Sequence, residues 1–191
     1  MRPRLVVLLM STALATWGLV SPAAAEVEVH DDPRGDVVRV QRGAVASADV
    51  LRLRGEHAGS SLTVAMDLVD LTDREMFIAL QVRSPTGADY TVEVGRDEDG
   101  EKTLLMARST RRGTTGVDCR GLAGRFFARQ DRVVVTVPRS CLKRPRWVRF
   151  GALAAASSSG PSRIYADDAR RDGGRFRDDR PVLGQRRLHH G

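Results

Sequence analysis

The chain has 191 residues, with 31 basic against 24 acidic side chains and only 5% aromatic content. The net charge of +7 belongs largely to the two ends, because residues 26–169 hold 22 basic and 21 acidic side chains. A nucleic-acid-binding domain carries its excess charge on the folded body, so nucleic acid is not expected as a partner. Arginine outnumbers lysine by 29 to 2, which reads as a compositional bias rather than selection for phosphate.

Residues 1–25 have the layout of a secretory signal peptide. "MRPR" is basic, "LVVLLMSTALATWGLV" is an apolar run of 16, and "SPAAA" ends in small residues suited to cleavage after Ala25. No later stretch is apolar enough to span a bilayer. The expectation is therefore a secreted, extracellular protein without a transmembrane segment after cleavage. What remains is sized for a single domain.

After the leader the pattern is period two almost throughout. "EVEVH" alternates, "VLRLRG" sets Leu51 and Leu53 against Arg52 and Arg54, and "SLTVAMDLV" points Leu62, Val64, Met66 and Leu68 one way. "FIALQVR", "YTVEVG", "RVVVTV" and "WVRFGAL" continue in kind. Between them "HAGS", "SPTG", "DEDG" and "RRGTTG" supply turn residues. The expected hairpins are 50–55 with 61–69, 75–83 with 88–95, and 88–95 with 101–108. Short strands at such spacing predict an all-β fold, an antiparallel β-sandwich of jelly-roll or immunoglobulin-like type over residues 26–169.

Thr72 and Asp73 read as a loop, and "AAASSSGPS" (154–162) as a flexible connection or fraying strand end. In an oxidising compartment Cys119 and Cys141 should form one disulfide. For the loop they close, the chain-entropy model gives about 3 kcal/mol. The last 22 residues, 170–191, are rich in Gly, Arg and Asp and predict a disordered basic tail.

Candidate sites are few. "DDPRGD" places Asp31, Asp32 and Asp36 around a turn, Asp49 opens the next strand, and Asp167 and Asp168 close the ordered region. Hard cations take several oxygens from such turns. If the first and last strands are neighbours, the six aspartates form a calcium site. A solvated turn explains the first three as well, and both readings stay open. The adhesion tripeptide Arg34–Asp36 is a chance match in so Arg-, Gly- and Asp-rich a chain. Zinc would require closely spaced Cys or His pairs, and hydrolysis a GxSxG or HExxH motif; the sequence holds neither. Trp147 shares a strand face with Arg149 and is either a ligand-binding aromatic or packing over the disulfide.

The stretch from Asp31 to Leu71, with Asp32, Gly35, Asp36 and Asp49 at the matching positions, resembles secreted β-sandwich modules of the DOMON and family 9 carbohydrate-binding type. The segments "VPRSCLKRPRWVRFGA" and "YADDARRDGG" are similar to small exported actinobacterial proteins, a likeness that brings no activity with it. The first resemblance implies a carbohydrate-binding role with a structural calcium ion. Haem ligation, known in some DOMON domains, is not expected, since Met66, Met76 and Met106 read as core. The expected function is an exported, non-enzymatic binding module for a polysaccharide or cell-wall polymer. A structural or protein-interaction domain is the first alternative, and a hydrolase the second. Oligomeric state is not legible.

Overall fold

A computed structural model describes residues 25–39, 48–71, 75–97, 99–157, 164–171 and 180–191. The leader expected over 1–25 lies outside them apart from Ala25, as do Thr72 and Asp73 and the part of the 154–162 connection from 158 on.

Two antiparallel sheets pack face to face, with one disulfide. The first sheet is built from β1 (Glu26–Asp31), β3 (Val50–His57), β4 (Ser61–Leu68), β9 (Ala123–Phe127) and β10 (Arg132–Pro138), in the order β1-β3-β4-β10-β9. The second contains β2 (Val38–Arg39), β5 (Met76–Arg83), β6 (Asp89–Arg96), β7 (Lys102–Thr110), β8 (Gly113–Gly116), β11 (Trp147–Ser157) and β12 (Ile164–Asp168). Its order is β2-β12-β11-β5-β6-β7-β8, and β13 (Leu188–His189) also pairs with β11.

The alternation read in the sequence places the core. Leu62, Val64, Met66 and Leu68 all face inward from β4, and Val148, Phe150, Ala152 and Ala154 from β11. Met66, Met76 and Met106 are buried there as well. The three expected hairpins form, and Gly100 takes the left-handed conformation that its turn requires. Cys119 and Cys141 are bonded, their Cα atoms 5.5 Å apart, and pack against the core.

Two expectations are corrected. Leu51 and Leu53 do not share a face, because the ladder shifts register between Val50 and Arg52 and leaves Val50 and Leu53 as the buried pair. "RRGTTG" is only partly a turn, since 113–116 form β8. Of the two readings of 154–162, the strand end holds for 154–157, which belong to β11.

The third correction is the largest. Average composition predicts disorder over 170–191; residues 172–179 lie outside the described residues, but residues 180–191 run along the edge of β11. Leu188 is fully buried between the sheets. Gly184 N–H donates to Phe150 O at 2.9 Å. The segment passes so close to Gly151 that a Cβ there would meet Val182 O at 1.8 Å, so only glycine fits. Arg170, also assigned to the tail, is buried against Glu28 of β1, its guanidinium 5.2 Å from the centre of the Phe150 ring.

Candidate metal centre

The N-terminal corner is where the chain changes sheet. Asp32 directly follows β1 and its N–H donates to Leu51 O at 3.0 Å, which holds it on the first sheet. The chain then turns through Pro33, Arg34 and Gly35, where a φ of +85° suits glycine. Gly35 N–H donates to Asp49 Oδ2 at 2.9 Å. Beyond the turn comes Asp36, and β2 joins the second sheet by pairing Val38 with Ala166 of β12. The next residue on β12 is Asp167. Its side chain is 1% exposed, and Oδ2 accepts the Val50 N–H at 2.8 Å, from the point where β3 changes register.

Asp32, Asp36 and Asp167 each place one carboxylate oxygen within 4.8 Å of the others'. Oxygens on opposite sides of a calcium ion, each at 2.3–2.6 Å from it, are about 4.6–5.2 Å apart, so this spacing closes around one ion. Asp49, 4% exposed, stands behind them and holds the turn through Gly35. One oxygen of Asp49 and one of Asp167, Oδ1 in each, is buried without a hydrogen-bond partner.

The electrostatics follow from that crowding. Burial, and then the charges of Asp36, Asp49 and Asp168, raise the Asp167 carboxyl from 3.8 to about 7, against the opposing hydrogen bond from Val50. Asp49 is raised too, chiefly by burial, with the Gly35 hydrogen bond opposing. Among the described residues no Lys or Arg pairs with Asp167. Ionised, it is a buried anion beside other carboxylates, a setting that a divalent cation relieves.

Three of the six predicted aspartates are not in that group: Asp49 stands behind it, and Asp31 and Asp168 turn away. Asp31 points the opposite way from Asp32, has a side chain 70% exposed, and pairs with Arg52 Nε at 2.6 Å. Asp168 faces away from Asp167 by strand alternation. It accepts the Arg170 and Val182 N–H groups and lies 3.7 Å from Arg171 Nε. Its role is to anchor the C-terminal segment. Burial raises its carboxyl, and those hydrogen bonds and arginines work against the rise.

Trp147 is half-buried at the start of β11, paired with His189, and the Arg187 guanidinium sits 4.7 Å from its ring centre. That contact occupies a face that a sugar would stack on. A groove of about 380 Å³ lies on the outer side of the second sheet, lined by Phe77, Glu93, Asp97 and Ile164 among others, and Trp147 takes no part in it. Sequence reasoning missed His57, which is fully buried, and Leu188, whose carbonyl it meets. The signal available for the second was the apolar "PVLG" and "LHH" inside an otherwise basic tail.

Among the described residues no helix is long and apolar enough to cross a membrane. No protein-family model matches the chain, and no curated protein matches it.

Proposed function

We propose that this chain is an exported, non-enzymatic β-sandwich binding module whose N-terminal corner holds one calcium ion. Asp32, Asp36 and Asp167 are the ligands, and Asp49 positions the turn that carries Asp36. The observation that carries this reading is Asp167, almost wholly buried, with one oxygen unpartnered and with carboxylates from a separate segment beside it. An all-carboxylate set favours a hard cation over zinc, which prefers His and Cys. Calcium tolerates an irregular cage, whereas magnesium keeps much of its water. The ion ties the crossing from β1 to β2 onto both sheets, so binding stabilises the fold.

Export is supported by the leader pattern and by the disulfide. Near-complete burial of Asp167 counts against its use as a general acid, despite a value near neutrality. An extracellular polysaccharide or cell-wall polymer was the partner expected from the resemblance. Arg187 over Trp147 favours the second reading, a protein-interaction domain with no sugar platform.

The test is thermal unfolding of residues 26–191 in EDTA, followed by calcium add-back. At 100 times its dissociation constant, a ligand of the native state adds about 2.7 kcal/mol, which raises the midpoint by several degrees. A midpoint indifferent to EDTA and calcium refutes the site.

A further inference from the structure

The C-terminal segment closes the sandwich at the end of β11 opposite the acidic corner. Val148 pairs with Leu188 and Trp147 with His189, and His190 N–H donates to Arg146 O at 3.3 Å. Two contacts then reach the first sheet. His189 N–H donates to Glu26 Oε2 at 2.9 Å, and His57 Nδ1 lies 2.9 Å from Leu188 O. A carbonyl only accepts, so Nδ1 carries the hydrogen and the neutral ring leaves Nε2 bare. That Nε2 is buried with no partner.

We propose that residues 181–191 are a pH-sensitive latch, held shut by the neutral imidazole of His57 and released when that ring takes up a proton. Protonation puts a second N–H and a full charge where no acceptor waits. The surroundings add to the cost. Arg139, His190 and His189 all bear on the ring unfavourably once it is charged, the His190 ring lying 6.0 Å away. The Arg139 guanidinium is fixed there by bonds to Gly59 O and Pro145 O. Of the nearby carboxylates, Glu26 is engaged by His189 N–H, and Glu56, the neighbour of His57 on β3, by Arg54. Burial is the main cause that pulls the ring below its ordinary 6.5, with the Leu188 hydrogen bond opposing.

The sign follows from linkage. The open state binds the proton at the ordinary value and the closed state only at a lower pH. The latch is therefore fully shut above 6.5 and weakens as pH falls towards the ring's own depressed value. Within that window opening is favoured by up to about tenfold per pH unit. Release bares the edge of β11 over 147–150 and the slot that Leu188 fills, an unpaired strand edge of the kind that recruits another strand.

The experiment is hydrogen exchange on residues 26–191 at about pH 7.5 and about pH 5, corrected for intrinsic rates, with calcium present and again with EDTA. In the parent, amides of 184–190 should open more readily at the lower pH, by up to about thirty-fold, while those of β4 and β10 stay protected. His57→Asn keeps a donor for Leu188 O and cannot titrate, so its latch should respond far less to pH. An equal response in His57→Asn would assign the effect to Asp168, which holds Val182 at the other end of the segment, and would overturn the proposal. No response in the parent overturns it as well. Should His57→Asn not fold, the ring proton signals of the parent decide: a His57 that titrates near 6.5 while 184–190 stay protected refutes the latch.

Discussion

Residues 32–38 cross from the first sheet to the second among carboxylates at one end of β11. Residues 182–189 bridge the same two sheets at the other end, around a buried leucine. The C-terminal crossing carries its own counter-charge. Its apolar anchor is Leu188, and its buried cation, Arg170, already has Glu28 at 2.7 Å and the face of Phe150. The N-terminal crossing brings like charges together and leaves Asp167 ionisable only at about 7. Both stitches join the same two sheets, and in the proposed account one of them takes its counter-charge from solution.

That contrast breaks most sharply at the C-terminal end. Arg170→Met leaves Glu28 buried beside a neutral side chain, and removing one partner of a buried pair typically costs about 3–5 kcal/mol. Leu188→Ala deletes buried methyl groups and opens a cavity, a loss of about 2–5 kcal/mol. Denaturant unfolding should find both losses the same with calcium or with EDTA. A loss at either site that calcium restores would mean the two ends are coupled. The smallest effect belongs to Asp31→Ala. Its pair with Arg52 is exposed and screened, so the midpoint and its calcium response should both stay as in the parent. A lost calcium response would bring Asp31 back among the ligands.

Much of the fold was legible because period-two patterning directly reports a half-buried strand. The sandwich, the three hairpins, the inward row of β4 and the disulfide all follow from local pattern and compartment. The acidic corner was legible in composition but not in geometry. Alternation within "HDD" and "ADD" sends one aspartate of each pair the wrong way. Which one depends on the register of β1 with β3 and of β12 with β11, and no local window holds that information. The C-terminal segment was misread for a different reason. Averaged over 22 residues, it lacks apolar content, yet one leucine in a slot and a backbone ladder suffice to fix it. Gly151 carried the hint, as a glycine inside an apolar strand marks close approach of another backbone.

The most direct test of the metal corner compares the parent with Asp167→Asn, whose amide oxygen still accepts the Val50 N–H. A carboxyl raised from 3.8 to about 7 costs on the order of 4 kcal/mol to ionise in place. In the metal-free parent, stability contributed by this group is greatest below 3.8 and lost as pH rises through about 7. In EDTA at about pH 8, Asp167→Asn should therefore unfold at a higher temperature than the parent, and the gap should shrink as pH falls towards 4. In calcium the order should reverse, because only the parent gains from the ion. A parent that exceeds Asp167→Asn equally in EDTA and in calcium would contradict the account, and Asp167 would then be a buried structural carboxyl with no ion to hold.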